Sequence, residues 1–352
     1  MKLSDAFPLF SLLSLTQALP AADHSHSLPL PVDIIHQFPY PTWVQDLAVR
    51  ECGKILVTLL TTPDLYEIDP LNGDHEPTLI HTFPEHLGLN GITELFPDIF
   101  YVAGGNVSIL AAAGSATSTN FTLGDGDVPG AWDVYKVDLT KGDAGAKVDK
   151  VAHFPQALDL DGMTPLDAQN ILISDSVAGL IYKLNVETGV VTTVIDDPAL
   201  KGLPAIVIGV HKLRIRGSTL YFDNSGAETF AKIPIHADGT AAGPAVIIST
   251  GINSNGFDFD PKGDAFFTEN TPNALGYVPV QGGQQTILAG VPLENASQLP
   301  GPQSCQFGRT PFDFETLYLT TTGGLASDQS LKVGGTLSKV NIGQSGYYNK
   351  GS

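Results

Sequence analysis

A carboxylate at Asp161, an imidazole at His211 and amides at Gln45, Asn90 and Asn255 recur at wide intervals along this chain, and together they could do chemistry. A carboxylate beside an imidazole can hold and pass a proton near neutral pH, and amides can hydrogen-bond an oxygen on which charge builds. Each opens or precedes a short apolar segment: Asp46-Leu-Ala-Val after Gln45, Asn90-Gly-Ile-Thr, Asp161-Gly-Met-Thr, His211-Lys-Leu-Arg and Asn255-Gly-Phe-Asp, with Ser304-Cys-Gln-Phe as a further member. Asn-Gly and Asp-Gly also favour tight turns, so Asn90, Asp161 and Asn255 have a purely structural reading as well. His211 has none. The sequence holds no Gly-x-Ser-x-Gly nucleophile elbow, no phosphate-cradling glycine loop and no His-Glu-x-x-His pair.

What must position these residues is a repeat. A second apolar segment follows each opening: Ile55-Leu-Val-Thr, Ile99-Phe-Tyr-Val, Ile171-Leu-Ile-Ser, Leu220-Tyr-Phe-Asp, Ala265-Phe-Phe-Thr and Leu317-Tyr-Leu-Thr. Most units add a third strand, such as Leu65-Tyr-Glu-Ile-Asp or Ile181-Tyr-Lys-Leu-Asn, and then a fourth. Four antiparallel strands repeated six times predict an all-β, six-bladed propeller, because one such sheet cannot bury both its faces and must stack on neighbours around an axis. A single domain over residues 19–352 follows, with blades opening near 45, 90, 161, 211, 255 and 304. The innermost strands all start at one end of the central channel, so Gln45 or Asp46, Asn90, Asp161, His211, Asn255 and Ser304 should converge there. Trp43 and Phe257 are expected to line an apolar slot beside them, with plain core packing as the alternative. Asp175, Asp223 and Glu269 close the second strands and are expected as cap residues at the far end of the channel. The Gly/Ser/Thr/Ala-rich stretch from Val102 to Trp132 reads as an extended surface loop, with a lid over the channel mouth as the alternative.

The chain carries 18 Lys and Arg against 37 Asp and Glu, a formal charge of −19 that argues against phosphate backbones and anionic membranes as partners. Lys2, the apolar run from Ala6 to Leu15 and the small residues Thr16 and Ala18 predict a cleaved signal peptide over residues 1–18, hence a secreted or secretory-lumen protein without membrane insertion. In that compartment Asn106, Asn120 and Asn295 are candidate N-glycan acceptors. The two cysteines, Cys52 and Cys305, would fall in adjacent blades of the closed ring, where oxidation would pair them; two free thiols are the alternative. His24 and His26 belong to a tail near the mature N-terminus.

The blade openings Leu89-Asn-Gly-Ile and Leu160-Asp-Gly-Met, the run Asn255-Gly-Phe-Asp-Phe-Asp-Pro-Lys-Gly-Asp and the later Cys305-Gln-Phe-Gly-Arg-Thr resemble the gluconolactonase-like propellers, especially their secreted fungal branch. Hydrolytic members bind one divalent cation through a first-blade Glu, middle-blade Asn residues and a later Asp. Gln45, Asp161, His211 and Asn255 stand at those positions here, so two carboxylates are lost, one is gained and an imidazole enters. The resemblance therefore implies no metal cofactor, with a single Ca or Zn ion, and lactone or ester hydrolysis, as the alternative. The fungal branch includes hetero-Diels-Alderases that join a tropolone-derived ortho-quinone methide to a humulene-type sesquiterpene. By that resemblance the partners are apolar polyketide and terpene molecules. Asp161 and His211 would transfer protons, Asn90, Asn255 and Gln45 would bind substrate, and Trp43 and Phe257 would hold the terpene. A non-catalytic small-molecule binder is the remaining reading, and a monomer or weak homodimer is expected.

Overall fold

The computed structural model describes residues 28–106, 131–142, 145–204, 206–290, 298–325 and 331–347. The signal peptide, His24, His26, Asn120, Asn295 and most of the 102–132 stretch lie outside them. No helix among the described residues is long and apolar enough to cross a membrane.

The chain begins with β1 (Asp33–Gln37). Blade one follows as β2 (Val44–Val49), β3 (Ile55–Leu59), β4 (Asp64–Ile68) and β5 (Thr78–Thr82). Blade two is β6 (Gly88–Phe96), β7 (Ile99–Gly105), β8 (Trp132–Asp138) and β9 (Lys147–Phe154). Blade three is β10 (Leu160–Asp167), β11 (Asn170–Asp175), β12 (Leu180–Asn185) and β13 (Val191–Ile195). Blade four is β14 (Val210–Arg216), β15 (Thr219–Asn224), β16 (Thr229–Pro234) and β17 (Val246–Thr250). Blade five is β18 (Ser254–Phe259), β19 (Ala265–Glu269), β20 (Ala274–Val278) and β21 (Thr286–Gly290). Blade six is β22 (Pro302–Phe307), β23 (Thr316–Thr321) and β24 (Thr336–Asn341), and its fourth strand is β1, antiparallel to β24. The expected six-bladed propeller of four-stranded antiparallel sheets is therefore what the chain forms.

Strands that alternate apolar residues to both sides need a neighbour on each face. Among the described residues the hydrophobic core accordingly divides into six clusters, one at each seam between blades. The seam of blades four and five is aromatic: Phe230 meets Phe267 at 4.8 Å and Phe257 at 5.1 Å, edge to face. Phe257 is fully buried there and does not line the channel. In an unbroken strand Phe257 would share a face with Asn255. A bulge between Ser254 and Gly256 turns Asn255 to the axis and Phe257 into the seam.

The same bulge occurs near the start of all six inner strands. It makes two successive residues face the axis and so builds two stacked rings. The Asn-Gly and Asp-Gly pairs are thus strand bulges, and their glycines answer to close packing. A Cβ on Gly91 would lie 1.7 Å from the Asp161 carbonyl oxygen, and one on Gly162 2.1 Å from that of His211.

The cysteines are free, which corrects the expected disulfide. Cys52 is exposed in the turn between β2 and β3, whereas Cys305 is buried against Phe266 and Leu275 in the seam with blade five, on the side of β22 away from blade one. The ring is closed by the pairing of β1 with β24.

Candidate active site

The upper ring consists of Gln45, Asn90, Asp161, His211, Asn255 and Gln303 at the foot of a cavity of about 250 Å³. Gln303, one residue before the expected Ser304, takes the sixth position. Asp46 and Ser304 belong to the second ring beneath, where the Ser304 hydroxyl donates to Asp46 Oδ1 at 2.6 Å and Lys212 forms an ion pair with the same oxygen. Below this plug a separate cavity of about 130 Å³ is lined by Lys212, Arg214, Arg309, Glu94 and Asp258. Arg309 pairs with Glu94 there, and Arg214 lies 3.4 Å from Asp258.

The backbones of four ring residues are latched from the preceding blade. Thr58 donates its hydroxyl to the carbonyl of Asn90 at 2.7 Å, Ser174 to that of His211 at 2.7 Å, Thr268 to that of Gln303 at 2.8 Å and Thr320 to that of Gln45 at 3.1 Å. These are the last residues of the repeated second-strand segments, so the column that ends each segment is what fixes the ring.

Antiparallel pairing brings the end of each second strand beside the start of the first. Asp175, Asp223 and Glu269 therefore lie at the same end as the ring and not at the far end. Asp223 accepts from the Lys212 amide at 2.7 Å and the Ser254 hydroxyl at 2.6 Å. Asp175 accepts from the amides of Leu158, Asp159 and Ala178, which fixes the bend that presents Asp159.

Asp159 is the residue that sequence reasoning missed. It lines the cavity with Asp161 and accepts from the Asn90 amide at 3.0 Å. Its signal in the sequence was a second carboxylate two positions before Asp161, in the bend that leads into β10. Burial drives the Asp159 pKa well up, and repulsion from Asp161 adds to this, so this carboxyl keeps its proton at neutral pH.

Burial alone would strip His211 of its proton, but Asp161, Asp223 and Asp159 outweigh it and raise the pKa to about 9. His211 Nδ1 lies 2.6 Å from Asp161 Oδ2, an ion pair between imidazolium and carboxylate at the floor of the cavity. Asn90 Oδ1 and Gln303 Nε2 are buried and unpartnered. Trp43 Nε1 donates to Gln45 Oε1 at 2.6 Å, and Asn255 Nδ2 to Gln303 Oε1 at 3.2 Å. A polar floor thus meets a wall that is apolar along Trp43, Leu60, Ile206, Ile208 and Leu325 and polar along Ser225, Asn253, Asn270 and Thr271. Trp43 borders the cavity and also packs in a core cluster, and isoleucines and leucines stand where Phe257 was expected.

The ring does not fit a hard dication. Such an ion wants several oxygen donors including carboxylates. Here Asp161 is engaged by His211, Asp159 retains a proton and carries the Asn90 amide, and the remaining oxygen donors are amides. Among the described residues no three His, Cys, Asp or Glu side chains gather in metal-holding geometry.

No family model matches the sequence. The chain is 27% identical over 325 residues to a protein of Phoma sp. named as a candidate hetero-Diels-Alderase, covering 84% of this chain and 88% of that one. It is 26% identical over 327 residues to another of that description from Sarocladium schorii, covering 83% and 78%. Among solved structures it superposes on luciferin-regenerating enzyme with a TM-score of 0.63 at 13% identity, covering 91% of this chain and 98% of that one. For regucalcin of Agrobacterium tumefaciens, a calcium-binding protein, the TM-score is 0.57 at 16% identity, with the same coverage. The chain is a six-bladed β-propeller that shares its fold with luciferin-regenerating enzyme and regucalcin, and along most of its length it is similar to candidate hetero-Diels-Alderases.

Proposed function

We propose that this chain is a metal-independent cyclase of secondary metabolism that joins an oxygen-bearing heterodiene to an alkene in a hetero-Diels-Alder reaction. The observation that carries the reading is a protonated carboxyl, Asp159, beside the Asp161–His211 ion pair at the foot of a cavity walled in part by apolar side chains. The names of the two relatives support it. Such a reaction asks a protein for a proton at one moment and for positioning at another.

A hydroxymethyl precursor lodged on the polar floor loses water when its C–O bond breaks. The Asp159 proton goes to the departing hydroxyl, and the resulting carboxylate takes up the proton of the ring hydroxyl. No net proton is gained or lost, and an ortho-quinone methide remains. The His211 imidazolium and the Asn90, Asn255 and Gln303 amides stabilise its carbonyl oxygen as negative charge builds there. The alkene, held against the apolar wall, then forms one C–C and one C–O bond with the heterodiene. The reading extends to the compartment: the chain enters the secretory pathway and carries a glycan at Asn106, which is exposed at the end of β7.

The test is to incubate the purified protein, before and after chelation, with a hydroxymethyl tropolone and humulene, and to follow products by mass. An adduct equal to the two reactants less one water, formed at the same rate after chelation, is expected. No adduct above the uncatalysed background sinks the proposal. An adduct that disappears with EDTA and returns with calcium or zinc sinks its metal-independence.

A further inference from the structure

Leu203, Ile206 and Val207 are 50%, 50% and 56% exposed, and nowhere else among the described residues do three exposed large hydrophobics fall within five positions. Solvent-facing apolar clusters of this kind mark binding surfaces. The segment from 203 to 208 carries no polar or charged side chain. Ile206 and Ile208 also line the wall of the cavity above the polar floor.

Leu203, Ile206 and Ile208 are held in place by backbone contacts. Leu203 and Ile206 form an isolated bridge closed by the Ile206 amide on the Leu203 carbonyl at 2.9 Å. The Gly209 amide donates to Ser176 O at 2.7 Å, and Asn224 Nδ2 donates to the carbonyls of Ala199 and Lys201 at 2.9 and 2.8 Å. The turn after β15 presses against it so closely that a Cβ on Gly226 would lie 2.2 Å from Ile208 O. Apolar tips fixed in this way cost little ordering when they bind.

A cavity of about 250 Å³ is small for two ring-sized reactants at once. The polar floor suits the oxygen-bearing one, so the other must sit at the mouth. We infer that Leu203, Ile206, Val207 and Ile208 form the subsite for the hydrocarbon reactant, with Ile206 as its specificity determinant. This inference rests on the function proposed above.

The test compares wild type with Ile206→Asn and Ile206→Ala, each first shown to melt like the wild type. Binding of α-humulene and of tropolone is followed separately through tryptophan fluorescence, since Trp43 lines the same cavity. Ile206→Asn is expected to weaken humulene binding about tenfold or more, and Ile206→Ala by less. Tropolone binding should stay within about twofold in both. Unchanged humulene affinity in both variants overturns the inference and leaves the proposed function standing. Unchanged humulene affinity together with lost sedimentation on phosphatidylcholine vesicles overturns it in favour of a membrane surface. Wild type that binds neither probe overturns the reading of the site itself, and this inference with it.

Discussion

Lys212 of blade four reaches across the channel axis to Asp46 of blade one, and both side chains are almost wholly buried. Asp46 also accepts from the Ser304 hydroxyl of blade six and from the Ile92 amide of blade two, so this one carboxylate ties four blades together at mid-channel. Burial works against its charge, but Lys212, Ser304 and Ile92 together hold its pKa below the ordinary carboxylate range.

Removing one member of this pair strands the other in a dry interior. Lys212→Met should cost about 3–5 kcal/mol in urea unfolding, whereas Lys212→Met combined with Asp46→Leu should recover most of that. Because the Asp46 pKa is depressed on folding, the pair stabilises above the unfolded carboxylate pKa, and this contribution is lost as pH falls through the folded value. A double variant no more stable than the single one would show that Asp46 serves the fold through something other than its charge.

The Asp161–His211 pair has the opposite pH signature. The folded pKa of His211 is raised from 6.5 to about 9, so its contribution to stability is complete below 6.5 and is lost as pH rises through 9. Asp161→Asn removes the principal cause of the rise, and burial should then bring the imidazole below 6.5. Melting temperatures at pH 6 and pH 9.5 check this: the wild type should lose more than the variant over that interval. Equal losses would mean that His211 is neutral throughout.

Asp159 is assigned the proton that leaves with water. Asp159→Asn should lower turnover by about 10²–10⁴ while leaving tropolone and humulene binding intact. In the wild type the rate should fall on the alkaline side of neutrality as this carboxyl loses its proton. A pH–rate profile of the dehydration step, with both reactants saturating, is the measurement; a flat profile through pH 9 would remove Asp159 from that role.

The thiols should behave as two separate groups. Cys52 is exposed and Cys305 is buried with its pKa raised by burial, so native protein should titrate one fast thiol with an aromatic disulfide reagent and a second only in denaturant. Cys52→Ser should change stability by less than about 0.5 kcal/mol. A native protein with no titratable thiol would restore the disulfide.

The blades were legible because strand, turn and strand recur with like chemistry: the six second-strand segments align well enough that their last column, Thr58, Ser174, Thr268 and Thr320 among it, turns out to be the latch on the ring. What escaped was set by the bulge. Period-two reasoning from Asn255 sends Phe257 to the channel, and one inserted residue reverses that. Counting from Ser304 instead of Gln303 is the same slip in blade six. Strand β1 escaped for another reason. Asp33-Ile-Ile-His-Gln pairs with a partner some 300 positions away, and nothing local in five residues announces such a match.

That pairing also governs the order of events in synthesis. The strand that emerges from the ribosome first finds its place last, because β24 must exist before β1 has an edge to join. Blades one to five can form as the chain lengthens, but the cylinder stays open until β24 has been made and β1 joins its edge. Closure of the ring is thereby deferred past the synthesis of β24, and a chain cut before it ends as an unsealed ring with exposed strand edges.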